Sequence, residues 1–414
     1  SKVQISSKDK LIIGKAIPLI QKKSNAKKLV ITLFIDGFSS KMINKESIEE
    51  LMPNTNLFFE QGTKFFDCIA ASEWTLPSVA SISSGLFASN HKVTNPEGKI
   101  EVGMEYKLLA EYFQDNKYLT AKFCCNERKN PNYGYMKGFD RTIYKMHMDS
   151  HQIITAAIEH LQTFNERDNY LWLSFFDLHH HLNQIPDISS QKNIPLNYHT
   201  YKKNVLNSPF LSFDEKLINW YQNEAKRLDL YLQIFYSYIS QNYDMNDVVV
   251  SIISDHGQAF AGKQKELLSE QKLSTPMMFV GGGVKKNVSN EIVQNIDYLP
   301  ALLKLSGINT DIKLDGRVPK EFGGSSARKF SFSESIYPDR HYEAAIYDET
   351  FMFYFVSQDA LKNIGMINFE KCNYKLVTRA SEVDVTKDNE DICIIYLEYL
   401  KNHLINRGSN EHKV

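Results

Sequence analysis

A chain of 414 residues with 43% hydrophobic and 12% aromatic side chains is long enough for one large core, or for a large domain with a smaller appendage. Its 48 basic and 49 acidic side chains leave a formal charge of -1, so no global field draws it to a nucleic-acid polymer or an anionic membrane, and an anionic substrate must be held locally. Its five cysteines, two of them adjacent (Cys124 and Cys125), argue against a disulfide framework and for a reducing compartment.

The N-terminal stretch "SKVQISSKDKLIIGKAIPLI" lacks the order of charge, apolar run and small-residue cleavage site that marks a signal peptide. The longest apolar runs are too short to span a bilayer, so the expected location is the cytoplasm. β-branched apolar runs then alternate with segments of helical period, which predicts an α/β fold with a mostly parallel central sheet flanked by helices. Three runs end on an acidic residue: "LVITLFIDG" at Asp36, "YLWLSFFDLHHH" at Asp177 and "VVVSIISDHG" at Asp255. Ligands of open α/β sheets bind at the carboxyl ends of the strands, so these carboxylates can converge on one crevice.

Helices are predicted over 43–61, 105–115, 149–164, 213–242 and 289–306. In the fourth, Leu217, Trp220, Tyr221, Leu228, Leu232, Phe235 and Ile239 recur on one face, and Glu224 and Arg227 fall off it. Residues 182–212 carry prolines and no period, and they follow a run of three histidines, as a substrate lid would. After Gly307 the texture shifts to short strands ("RKFSFSES", "YEAAIYD", "FMFYFVS") and a charged helix near 390–406. The expected organisation is a catalytic domain over 1–310 and a small C-terminal antiparallel subdomain over 311–414.

"SEWTLPSVASISSG", residues 72 to 85, opens a segment that reads as a helix capped at Thr75 or Leu76, with Pro77 in the first turn and Gly85 at its end. Free N–H groups at such an end suit a phosphate or sulfate. Locally, a capping threonine accounts for Thr75 well. A threonine hydroxyl acts as a nucleophile only with a base or a metal ion to stabilise the alkoxide, and Asp36, Asp255 and His256 are suitable metal ligands.

"FIDGF", "TLPSVASISSGLFASNHKV", "YGYMKGFD", "SDHG", "STPMMFVGGGV" and "IDYLPALLKLSGI" together resemble, in order and spacing, the alkaline phosphatase superfamily, specifically its sulfatase-like branch. The resemblance spans most of residues 28 to 350. It implies Thr75 as nucleophile and Asp36, Thr75, Asp255 and His256 as ligands of one divalent metal ion (Mn, Zn, Mg or Ca). Asp177 and His181, with His341, are candidates for a second metal or for substrate. His179 and His181 would act as phosphate contacts or acid/base groups, Lys265 as a contact to the transferred group, and Ser78 and Lys263 as substrate-binding residues.

Departures from the family pattern matter as much. Sulfatases proper need a Cys or Ser in a C/S-x-P-x-R context for conversion to formylglycine, whereas this chain reads Thr75-Leu76-Pro77-Ser78-Val79. They also carry two successive aspartates and a Gly-Lys-x-His segment, where this chain has Asp36-Gly37 and "CCNERKN". The resemblance therefore implies a phosphoester, chiefly phosphodiester, hydrolase or phosphotransferase acting through phosphothreonine on a small-molecule or glycan-linked substrate. The alternatives are a sulfate- or phosphonate-ester hydrolase of the same fold and a noncatalytic sugar-phosphate or glycan-binding member.

Overall fold

In β1 (Leu29–Ile35) every residue is buried, as a strand covered on both faces must be. This computed structural model describes residues 27–94, 105–129, 133–146, 148–179, 208–310, 312–337, 340–360 and 371–408, with isolated positions elsewhere. His181 and residues 182–207 of the expected lid lie outside the described residues.

The first half of the chain runs β1, α1 (Ile48–Leu51), α2 (Pro53–Phe58), β2 (Thr63–Ile69), α3 (Thr75–Ser84), α4 (Ala88–His91), α5 (Leu109–Asp115), β3 (Leu119–Cys124), β4 (Arg141–Tyr144), α6 (Ser150–Thr163) and β5 (Asn169–Phe175). Then follow α7 (Glu215–Asn242), β6 (Val248–Ile253), α8 (Glu270–Leu273), β7 (Ser274–Gly281), β8 (Asn287–Ser289), β9 (Val293–Gln294) and α9 (Tyr298–Leu305). The large sheet has the order β4-β3-β5-β1-β6-β7-β2-β8, with β9 beside β2. Strands β4, β3, β5, β1 and β6 run parallel to one another, and β7 runs antiparallel to both β6 and β2. The expected α/β class and mostly parallel sheet are what the chain adopts.

Alternation along β1 sorts the two helical layers. Leu29, Ile31, Leu33 and Ile35 join a core built with residues of α6 and α7, while Val30 and Phe34 join one built with residues of α3, α5 and α9. Thr32, on the second face, satisfies its hydroxyl against Tyr298 at 2.6 Å. The stripe predicted on α7 is buried, yet so are Glu224, Arg227 and Asp229, which the apolar period does not reveal. Segment 289–306 corrects the helix expected there. Its first residue ends β8, β9 follows, and the α-helix begins only at Tyr298.

A second, antiparallel sheet is formed by β10 (Ser331–Ser335), β11 (His341–Tyr347), β12 (Phe351–Ala360) and β13 (Cys372–Thr378), followed by α10 (Glu390–Gly408). It is fastened near α3: the Glu334 N–H donates to the Ala71 carbonyl at 3.0 Å, and the Ser72 hydroxyl to the Glu334 carbonyl at 2.6 Å. Among the described residues no helix is long and apolar enough to cross a membrane.

Candidate active site

Because β5, β1 and β6 are adjacent and parallel, their carboxyl ends place Asp36, the segment after Phe175, and Asp255 on one edge of the sheet. Asp36 and Asp255 are fully buried. Asp36 Oδ2 accepts from Asn126 Nδ2 at 2.8 Å and from Lys129 Nζ at 2.7 Å, whereas its Oδ1 accepts no hydrogen bond. In Asp255 the Oδ1 accepts from the Gly37 and His256 N–H groups at 3.1 and 3.0 Å, and Oδ2 is left without a bond. A buried carboxylate oxygen without a partner is costly, and two facing one histidine mark a place for a cation.

His256 completes that place. Its Nδ1 lies 2.8 Å from the Gly257 carbonyl, which assigns the proton to Nδ1 and leaves the Nε2 lone pair pointing inward. Nε2 is 3.5 Å from Asp255 Oδ2, 3.8 Å from Asp36 Oδ1 and 3.3 Å from Thr75 Oγ1. His179 stands at the rim, its Nε2 4.0 Å from Asp36 Oδ1 and its ring stacked 4.5 Å from Phe176. Asp36, His179 and His256 form a group able to hold a metal ion.

Electrostatics follow from burial and these neighbours. Burial alone would raise the Asp36 carboxyl, but the Lys129 ammonium, with His179 and His256, holds it down to about 2. Burial, with the Asp36 charge beside it, raises Asp255. Burial disfavours charge on both Lys129 and His256, and the two aspartates overcome that penalty and raise each above its ordinary value. The site is held together by opposite charges that have little water to share.

Thr75 is the first residue of α3, after an N-cap at Trp74. The helix therefore starts at Thr75, where the sequence suggested a cap, and no side chain caps it. The Thr75 hydroxyl faces His256. Pro77 has no N–H and the Ser78 N–H donates to the Trp74 carbonyl at 3.3 Å, so the N–H groups of Thr75 and Leu76 are the ones this helix end has to offer. Ser78 behaves differently. Fully buried, it donates to the Asp255 carbonyl at 2.5 Å and accepts from Asn295 Nδ2 at 2.7 Å. Its hydroxyl ties α3 to the end of β6, a positioning role in place of the substrate contact expected.

Asp177 is the clearest correction. One carboxylate oxygen pairs with Arg227 Nη2 at 2.5 Å and the other accepts from the Ser150 hydroxyl, so neither is left for a metal. Arg227 also binds Glu224, and the three charges form a buried bridge between β5 and α7. His341 is exposed at the start of β11 and belongs to no metal-competent group among the described residues. Lys263 and Lys265 lie apart from the aspartates, on the wall of a neighbouring cavity of about 720 Å³.

Lys129 and Asn126 are the functional candidates that sequence reasoning missed. Both follow the end of β3, whose neighbour β5 lies beside β1, so they sit on the same sheet edge as Asp36. The single aspartate followed by glycine also has a structural reason. Gly37 has φ +71°, and a Cβ there would stand 2.2 Å from Gln258 Nε2, which bonds the Gly37 and Leu178 carbonyls.

The sulfatase family model matches residues 28–308, most of the chain and all the residues just described except those of the second sheet and α10. The chain belongs to the sulfatase family. Similar solved structures include a 2-O GAG sulfatase, with TM-score 0.68 and 15% identity over 94% of each chain. A phosphonate monoester hydrolase from Silicibacter pomeroyi matches with TM-score 0.71 and 15% identity, covering 91% of this chain and 95% of its own. An alkaline phosphatase superfamily protein from Vibrio parahaemolyticus matches with TM-score 0.60 and 16% identity over 88% and 82% of the two chains. No curated protein sequence matches this chain. At these identities the likeness establishes the shared fold, one that carries metal-dependent ester hydrolysis in the family.

Proposed function

We propose that this sulfatase-family protein hydrolyses or transfers phosphoesters, chiefly phosphodiesters, through a covalent phosphothreonine at Thr75. The observation that carries the reading is the Thr75 hydroxyl at a helix start, 3.3 Å from His256 and beside two unsatisfied carboxylate oxygens. Threonine has a methyl on Cβ, so oxidation there cannot give the aldehyde from which formylglycine enzymes release sulfate. A threonyl sulfate would lack that elimination route. A threonyl phosphate is cleaved by in-line attack at phosphorus.

Asp36, Asp255, His256 and Thr75 Oγ1 would hold a divalent cation, an assignment supported by the orphaned oxygens and the inward lone pair. Such a cation supplies a lowered pKa at the threonine hydroxyl and neutralises charge on a nonbridging oxygen. Thr75 Oγ1, its hydroxyl proton already lost to solvent, forms the new bond to phosphorus as the ester oxygen leaves with a proton from His179. Water or an alcohol then attacks the phosphothreonine, gives its proton to His179 and expels the Thr75 alkoxide, which restores both residues to their starting protonation and retains configuration overall. Lys129, through Asp36, fixes the carboxylate orientation, and the Thr75 and Leu76 N–H groups at the start of α3 would face a second nonbridging oxygen.

The test is intact mass and peptide mapping after brief incubation with bis(p-nitrophenyl) phosphate and Mn or Zn, followed by an acid quench. A phosphoryl adduct on Thr75 is the expected result. Release of nitrophenol from p-nitrophenyl sulfate or phenylphosphonate esters alone would select the sulfate- or phosphonate-ester alternative. Absence of turnover and of bound metal would select a noncatalytic binding role.

A further inference from the structure

The cavity carrying Lys263 and Lys265 lies next to the candidate active site, and two chains of contact connect them. The Gly257 N–H, immediately after His256, donates to the Lys272 carbonyl at 2.7 Å, and Lys272 lines the cavity. On the other side, the ring of Trp74, the residue before Thr75, lies 4.9 Å from Tyr337, which lies 5.3 Å from Phe210 on the cavity wall. A group attached to a phosphorus at Thr75 therefore has this cavity beside it. About 720 Å³ is within the usual range for a small-molecule site.

Its lining has an excess of positive charge. Lys263, Lys265, Lys272 and Arg340 face two carboxylates, Glu266 and Glu343. Glu266 is already paired with Lys375. Among the described residues no carboxylate lies within ion-pair distance of Lys263, Lys265 or Arg340. Two of these cations are placed by aromatic rings instead: the Arg340 guanidinium stands 4.0 Å over Phe210, and Lys263 Nζ stands 5.2 Å over Phe213. Burial raises the Glu343 carboxyl and outweighs the pull of Lys272, Arg340 and His341, which weakens it as a counter-ion. Cations held near apolar rings, in a concave wall and beyond contact distance of a carboxylate, are suited to an oxyanion brought by a ligand.

We propose that this cavity receives the part of the substrate beyond the reacting phosphorus, and that this part carries a second oxyanion, a carboxylate or a phosphate, bound by Arg340, Lys263 and Lys265. The inference rests on Thr75 as the point of attack. It makes the substrate a phosphoester bearing a further anionic group, where the active-site geometry alone would accept a neutral one.

The test compares p-nitrophenyl phosphodiesters whose second alcohol is phenol, 4-carboxyphenol or 4-phosphonophenol, with the 414-residue chain in its metal-loaded form. The charged diesters should exceed the phenyl diester in kcat/KM by about tenfold, and the better of the two identifies the oxyanion. Arg340→Ala and Lys263→Ala should bring that ratio close to one, and raised salt should lower it. Equal kcat/KM for all three diesters, or a ratio that survives both substitutions, overturns the proposal. A second readout does not depend on turnover: calorimetric Kd values for phenylphosphonate and 4-carboxyphenylphosphonate. If no diester is cleaved but the carboxylated phosphonate binds about tenfold more tightly in an Arg340-dependent way, the oxyanion site stands and the Thr75 reading falls. Equal Kd values overturn the site.

Discussion

Lys129 Nζ lies 2.7 Å from Asp36 Oδ2, with both side chains wholly buried. Asp255 adds a second buried carboxylate, so two negative charges face one ammonium, and the balance favours an added cation. Lys129→Met removes the ammonium paired with Asp36 and should cost the metal-free protein about 3–5 kcal/mol, since a buried carboxylate is left without its ion pair. Saturating divalent metal should restore part of that loss. Equal destabilisation with and without metal, in denaturant melts, would show that Lys129 and a cation do not share the same carboxylates.

Thermal stability should itself report the cation. A ligand that binds only the native state adds about 2.7 kcal/mol at a hundredfold excess over its Kd. Mn or Zn should therefore raise Tm, and a chelator should lower it. Asp255→Asn, which leaves the Oδ1 acceptor position in place, should remove the metal-dependent part of Tm; a variant with an undiminished shift would place the ion elsewhere.

Thr75→Ala should abolish turnover by a factor of about 10³ or more, because the bond-forming oxygen is gone. Thr75→Ser should retain it. Since Thr75 makes no capping bond, neither change should unfold the protein. Turnover in the alanine variant comparable to that of the parent chain would reject the covalent route.

The parallel core was legible because a strand buried on both faces must be an unbroken apolar run, and its polar stop marks the functional edge of the sheet. That reading located Asp36 and Asp255. It could not tell Asp177 from them, because the difference lies in Arg227, 50 residues away on α7, and in Ser150. A period-based reading places Arg227 off the apolar face; burial becomes affordable only once its two carboxylate partners are in place. Lys129 was hidden for the converse reason. It lies in a short 3₁₀ turn without period, and its partner is 93 residues distant. The second sheet showed three of its strands; β13 is shorter in apolar content and exposes Asn373 and Tyr374.

His179 should act on the leaving group. If it donates the proton, His179→Gln should slow alkyl phosphodiesters by about 10²–10⁴ and nitrophenyl diesters far less, because nitrophenolate departs without protonation. A uniform loss across leaving groups would instead assign His179 to holding the metal or the phosphate. The two roles are separated by the slope of rate against leaving-group pKa.

His160, remote from the site, should govern part of the acid stability. Burial, with the Arg141 guanidinium beside it, pulls its pKa down to about 4. Its Nδ1 accepts from Arg141 at 3.0 Å and its Nε2 donates to Asn169 Oδ1 at 3.1 Å, so the neutral ring is fully bonded and a second proton would confront the arginine. The unfolded chain binds that proton at the ordinary value near 6.5, so between about 6.5 and 4 it holds more protons than the native state. Stability therefore falls as pH drops through this window, by about 3 kcal/mol in all. His160→Gln keeps an acceptor and a donor without the titration, and should flatten the pH dependence of unfolding free energy between pH 6.5 and 4. An unchanged slope would move the acid sensitivity to the buried carboxylates, whose protonation begins at lower pH for Asp36.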